Sequence, residues 1–389
     1  VLKFIFSTLL LTASLTLICL YIHQLPYIPL ETDYSKALPE LSSTEPLELL
    51  DPKTGLLRQE GWSTYPNKWL YNPNMNKAYV PVFNRQKFWN YYYIISDDYL
   101  ITMAHTDVGL CKGAYISLKN TKDLSKPLSL VQVNDILGSH VSIDNEKNGP
   151  GVYSTITHED LNMTFSRRPE NSFATIDVNA SSEAGNIVAN FKADSKDIEG
   201  IAYVSAEPNT PTRHSFKYKL QSKYTGDLKV NGKSLITCTE EKPCYGILDN
   251  ARGFSGYTQT WVWASTCFEA QGHRVSLNLE KSTDNPHSSW DTVVVDGKLY
   301  KLDSHVLYRV TDDHWKWERA EDANTQHGNK INLEFKKADQ HSVGANFLFY
   351  NIDLQSSYGF FSGTIETSDG KKVKFEKVFG FVEDFHARW

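Results

Sequence analysis

Methionine is nearly missing from this chain, with 3 in 389 residues, and no basic run interleaved with aromatics stands out. The first shortage, set beside 21 Tyr, 19 Phe and 9 Trp, suits sheets with large planar side chains better than helical bundles. The second shortage, with a formal net charge of −6, excludes a nucleic-acid partner, because phosphate contacts need a clustered cationic surface. There is no phosphate-binding glycine loop, no serine elbow and no short-period repeat. His158-Glu159 lacks the second histidine of a zinc-protease helix, and no cysteine–histidine spacing suggests a metal site. No cofactor and no metal are therefore expected.

Charge is scarcest at the start. Val1 to Ile22 holds a single charged residue, Lys3, among large apolar and small hydroxyl side chains. About 20 apolar residues cross a bilayer core, so residues 1–24 are read as a transmembrane anchor. A cleaved signal peptide is the alternative, but Thr12-Ala13-Ser14 stands too early for cleavage and Ile22-His23-Gln24 offers no small pair. Lys3 against Glu31 and Asp33 then orients the segment. By the positive-inside rule the body lies on the non-cytoplasmic side, in a secretory lumen, the cell exterior or the mitochondrial intermembrane space.

Pro26, Pro29 and Pro39 bar helix from residues 25–45, which read as an extended linker. Beyond it, apolar and polar residues alternate between turn signals, and no convincing amphipathic helix follows. Ser96-Asp97-Asp98 reads as a hairpin turn between the runs 90–95 and 99–104. Asn231-Gly232, Asp296-Gly297 and Asp369-Gly370 are dipeptides of the favoured two-residue hairpin kind. Antiparallel sheet on this scale closes into barrels or pairs into sandwiches to hide its edges. The stretch Glu207-Pro208-Asn209-Thr210-Pro211-Thr212 is the predicted junction, dividing the body into blocks over 46–210 and 211–389.

The best candidate site is Asp249, Arg252, Tyr257, Trp261 and Trp263. At strand period the three aromatics project to one face and suit a flat or long apolar ligand, while Asp249 and Arg252 are placed to pair at a pocket mouth. The bland alternative is a filled barrel core with an ion pair pinning a loop. The chain end supplies Glu383, His386, Arg388 and Trp389. A carboxylate near an imidazole invites an acid–base reading, against which stands a terminal plug of stacked arginine and tryptophan. His105 and Asp107 share a strand face and read either as a polarising pair or as a polar hairpin end. Cys238 and Cys244 are close enough to bridge a loop, and with Cys111 and Cys267 they form two disulfides in an oxidising space or remain free thiols in apolar cores.

Leu50-Asp51-Pro52-Lys53-Thr54-Gly55, Gly61-Trp62-Ser63, Lys87-Phe88-Trp89-Asn90-Tyr91, Phe216-Lys217-Tyr218-Lys219, the block Asp249 to Trp263, Val295-Asp296-Gly297-Lys298-Leu299 and Gly380 through Trp389 recur in order along the body. Together they resemble the family catalogued as domain of unknown function 2804. Trp290-Asp291 departs from the Glu-Asn pair that the resemblance leads us to expect. That family looks like a distant relative of the double-lipocalin proteins that include carotenoid hydratases and lipid-transfer proteins. The resemblance implies an all-β fold of two lipocalin-like antiparallel β-barrels, here behind an N-terminal transmembrane helix, enclosing an apolar pocket.

The expected function is binding of a hydrophobic ligand, a membrane lipid or isoprenoid, next to the bilayer, with turnover the lesser expectation. The ligand-binding residues are then Asp249, Arg252, Tyr257, Trp261, Trp263, Glu383, His386 and Trp389. One rival is a non-catalytic accessory subunit of a larger membrane complex, which a broad apolar exterior patch would favour. The other is a hydratase, isomerase or cyclase on an isoprenoid-like substrate, which an acid reaching into a deep apolar pocket would favour.

Overall fold

The computed structural model describes residue 14 and residues 38–72, 86–109, 111–136, 142–145, 152–167, 173–182, 185–207, 210–254, 256–282, 290–302, 305–319, 327–347 and 350–388. The anchor expected over 1–24 lies outside these apart from Ser14, as do most of the linker and Trp389. Among the described residues no helix is long and apolar enough to cross a membrane.

From Leu38 onward every regular element described is a strand, in two curled, antiparallel, lipocalin-like sheets and a separate two-residue parallel pair at the start. The larger sheet has 14 strands. Its main path runs from the edge strand Ser129–Ile136 through Cys111–Asn120, Tyr99–Asp107, Gln86–Ile95, Cys244–Phe254 and Thr210–Val230. It continues through Gly185–Asp194, Phe173–Ser182, Leu161–Arg167 and Val152–Thr157 to Ser142–Asn145. The curl brings Ser129–Ile136 round against Leu161–Arg167 and Phe173–Ser182, but no ladder joins these edges among the described residues. The nine-stranded sheet runs from Lys298–Lys301 through Thr292–Val295, His273–Ser282, Thr258–Ala270, Lys372–Arg388, Tyr350–Glu366, Lys330–Phe347 and His314–Arg319 to His305–Thr311.

Among the described residues the chain passes from the larger sheet to the nine-stranded one once, between Phe254 and Thr258. The Pro-rich stretch expected to be the junction instead connects two strands of the larger sheet, since Gly200–Glu207 pairs antiparallel with Thr210–Val230 and sets Ala206 opposite His214. Pro and Thr serve a reversal within a sheet as readily as a linker between domains, so composition did not separate the two. The turn signals fare better. Asn231 and Gly232 hold φ of 51° and 75°, and Asp296 and Gly297 hold 53° and 87°, the left-handed pair that a two-residue hairpin requires. Asp369-Gly370 sits in a longer loop closed by the Thr367 N–H on the Lys371 carbonyl.

Alternation along each strand divides most of the interior into three layers, with two smaller clusters around Tyr203 and Phe385 beside them. Even positions of Thr258–Ala270, and of Lys372–Arg388 beyond the irregularity at Lys377, among them Val262, Ala264 and Val382, face the core of the smaller sheet with Leu277, Leu333 and Phe361. Before that irregularity the odd Val373 and Phe375 do so. Tyr92, Ile94, Met103 and Phe165 face the core of the larger one. Odd positions, including Tyr91, Tyr93, Trp263, Cys267 and Phe381, meet in a third layer where the sheets face each other.

Candidate functional site

A cavity of about 240 Å3 lies in that middle layer, walled by both sheets. On the larger sheet the register places one row of side chains across five adjacent strand pairs: Lys219 beside Asp249, Asp249 beside Tyr91, Tyr91 beside Ala104, Ala104 beside Tyr115 and Tyr115 beside Gln132. All six line the cavity. The opposing wall centres on Lys372–Arg388. There Trp261 pairs with Phe385, Trp263 and Ser356 flank Glu383, and Tyr358 pairs with Phe381. Period two thus delivers Phe381, Glu383 and Phe385 to the cavity and turns Asp384 and His386 away from it.

The inner end is charged and shut from solvent. Lys217 and Lys219 sit two apart on Thr210–Val230 and share Glu280: Lys217 Nζ is 3.0 Å from Oε1 and Lys219 Nζ is 2.6 Å from Oε2. Lys219 also pairs with Asp249 at 3.3 Å and lies 4.0 Å from the centre of the Trp263 ring. The Tyr203 hydroxyl donates to Glu280 at 2.9 Å, and the Glu280 backbone N–H donates to Asp291 at 2.8 Å. Trp290 stacks on Tyr203 at 3.9 Å, so the pair Trp290-Asp291 backs the charged end of the cavity. Toward the other end the lining is Leu128, Leu130, Val343 and Ile352, of which Leu130 is exposed.

These surroundings set the protonation states. Burial raises Glu383 from its ordinary value to about 8, the charge of Asp249 adds to the rise, and Lys219 and the Trp261 N–H oppose it. Burial also pushes Asp249 up, against the pull of Lys219. Glu280 goes the other way: burial would raise it, but Lys217 and Lys219 hold it low. Lys217 and Lys219 thus offer two cations to the three carboxyls of Asp249, Glu280 and Glu383, so ionising all three would leave net charge among largely buried side chains. Glu383, which has no lysine bonded to it, keeps its proton at neutral pH. Burial and the nearby Glu383 also keep the phenols of Tyr91 and Tyr115 neutral.

Of the residues singled out in the sequence, Asp249, Trp261, Trp263 and Glu383 line this cavity together. Trp261 stacks on Phe385 at 3.7 Å and lies against Trp89, and the Trp263 indole donates to Asn278 at 2.9 Å. Their face looks toward the other sheet, not into a barrel of the C-terminal half, because it is the even positions that fill that core. Arg252 does not pair with Asp249. An odd separation of three on one strand puts them on opposite faces, and Arg252 lies over Phe88. Tyr257 precedes the strand and is not among the lining residues. His386 pairs with Asp384 at 3.0 Å rather than with Glu383. Trp389 lies outside the described residues.

His105 and Asp107 are not brought together at the cavity. His105 is buried inside the larger sheet, stacked on Phe165 and bonded to Ser154 at 2.8 Å, where burial depresses it to about 3. Cys238 and Cys244 form a disulfide, whereas Cys111 and Cys267 are free thiols. Sequence reasoning missed Lys217, Lys219, Glu280, Tyr91 and Tyr115. One signal was there: in Phe216-Lys217-Tyr218-Lys219, lysines and aromatics alternate along a strand whose two faces are both buried, which demands anionic partners inside.

Comparison with known proteins adds fold and family. The structure superposes on the crystal structure of CghA with a TM-score of 0.51 and 10% sequence identity, over 77% of this chain and 87% of that one. It also matches kievitone hydratase from Nectria haematococca with a TM-score of 0.45 and 10% identity, over 77% and 88% of the two chains. At these identities the likeness to CghA is one of fold alone. No curated protein matches the sequence. The family described as DUF2804, a domain of unknown function, matches residues 40–389, and the chain belongs to it.

Proposed function

We propose that the cavity between the sheets is an active site where an apolar small molecule is protonated by Glu383. The reading is carried by the Glu383 carboxyl, which burial raises to about 8, on the wall of an otherwise largely apolar and aromatic cavity. Acids tuned to about the working pH mark general acid–base sites. The Glu383 O–H bond breaks, and its proton goes either to a carbon of a double bond or to a hydroxyl oxygen of the ligand, whose C–O bond then breaks with its electron pair leaving on water. The bond pair left behind makes Glu383 a carboxylate. The developing positive charge on carbon is met by the ring faces of Trp261, Trp263 and Tyr91. Capture by water or by a second double bond, each followed by return of a proton to the Glu383 carboxylate, gives hydration or cyclisation, and direct loss of a neighbouring proton to Glu383 gives isomerisation. A hydratase, isomerase or cyclase is thus favoured over simple binding by the criterion of an acid in an apolar pocket.

Binding without turnover is the second reading, favoured by the length of apolar lining from Leu100 through Leu354 and Phe385. In both readings the ligand is lipid- or isoprenoid-like, and a tether beside a bilayer would raise its local concentration. The disulfide Cys238–Cys244 supports a non-cytoplasmic, oxidising location for the body. The accessory-subunit reading has less support. The large apolar side chains left exposed among the described residues, such as Leu70, Leu130, Leu235 and Val310, are dispersed over separate strands.

Native mass spectrometry of the purified full chain, with chromatography of the released small molecules, separates the readings. Wild type and Glu383→Gln are expected to carry different molecules, related by water or by isomerisation. The same molecule on both refutes turnover and leaves binding. No molecule on either refutes the cavity as a ligand site.

A further inference from the structure

Asp249 has one oxygen accounted for and one that is not. Its Oδ2 pairs with Lys219 at 3.3 Å, while Oδ1 is buried and meets no hydrogen-bond donor among the described residues. The neighbouring acceptors are taken. Glu280 Oε1 receives Lys217, and Oε2 receives both Lys219 and Tyr203. A buried carboxylate oxygen without a donor costs its full desolvation, so an oxygen left in that state on a cavity wall is a place for a donor on the ligand. Asp249 and Glu383 lie on facing walls, near enough for each charge to act on the other.

We propose that the ligand presents a hydroxyl group at the charged end of the cavity, its oxygen accepting from Glu383 and its hydrogen donated to Asp249 Oδ1. This rests on the reading of Glu383 as the proton-bearing wall and names the substrate class for it, an apolar alcohol or enol. Other oxygen and nitrogen groups fit worse. A ketone or ether accepts from Glu383 but leaves a lone pair facing the carboxylate of Asp249. An ammonium satisfies Asp249 but has nothing to accept from Glu383 and brings a third cation beside two lysines. A hydrocarbon leaves both groups stranded. Among these groups a hydroxyl alone both accepts and donates through one atom.

Three rigid probes of similar shape test this on the full chain: 2-naphthol, 2-methoxynaphthalene and naphthalene. Equilibrium dialysis gives the affinities, and quenching of tryptophan emission by probes beside Trp89, Trp261 and Trp263 checks the location. Wild type is expected to bind 2-naphthol about tenfold or more tighter than either of the others, as one charge-assisted hydrogen bond implies. Asp249→Asn should reduce that preference to within about threefold, while Glu383→Gln, which keeps a donor, should retain most of it. Equal affinity of 2-naphthol and naphthalene for wild type overturns the inference and leaves the cavity as an apolar ligand site. If no probe binds, the cavity reading falls and the inference with it. The wild-type ranking stands even if Asp249→Asn fails to fold.

Discussion

Glu383 gives the sharpest residue-scale prediction because its displacement has a sign. Its folded value of about 8 stands above its ordinary value of 4.5. The native state therefore holds a proton that the unfolded chain releases between those values. The stability this group contributes is fully present below pH 4.5 and is lost as pH rises through about 8. The stability difference between wild type and Glu383→Gln should shift toward the variant by roughly 3 to 5 kcal/mol across that window. Urea denaturation at a series of pH values measures it, and a flat difference would refute the assignment. Any turnover that needs the acid should fall off above about pH 8.

The two tryptophans should separate in the same assay. Trp263 is buried and bonded to Asn278, so Trp263→Ala should cost about 3 to 5 kcal/mol. Trp261 is half-buried with one side on the cavity, and Trp261→Ala should cost clearly less while enlarging the space for ligand. These residues were legible in the sequence because aromatic bulk on one strand face must be hidden somewhere. Their partners were not. Lys219 and Glu280 lie 61 positions apart in different sheets, and nothing local in either announces the other.

At the scale of elements, Lys372–Arg388 organises the site. It is an interior strand between Thr258–Ala270 and Tyr350–Glu366, so the position of Glu383 is fixed by ladders on both sides. Hairpins were readable wherever the turn chemistry was strong, as at Asn231-Gly232. They were missed where the first residue was unremarkable. Gln271-Gly272 adopts the same left-handed pair, with φ of 52° and 79°. The sheet boundary was unreadable because it falls where no proline marks it, while the prolines mark a reversal within a sheet. Gly246 shows how closely the ladders approach. A Cβ there would stand 1.8 Å from the Tyr93 carbonyl oxygen, prising Cys244–Phe254 from Gln86–Ile95. Gly246→Ala should lower stability by about 1 to 3 kcal/mol in thermal or urea unfolding, and an unchanged midpoint would contradict the pairing.

At the scale of the whole molecule, the two sheets are held together chiefly by what lies between them. Tyr93 bonds to Ser265 at 2.8 Å, Lys217 and Lys219 reach Glu280, and Lys119 pairs with Asp339 across the gap. The single crossing between Phe254 and Thr258 is the one covalent tie among the described residues. A protease site inserted between Gly256 and Tyr257 would turn the protein into a two-chain complex whose interface holds the cavity. After cleavage the halves should still co-elute on gel filtration, and a ligand filling the cavity should slow their separation under dilution. In that nicked form, occupancy could be read as the lifetime of a heterodimer, a physical reporter for a ligand whose chemistry is unknown.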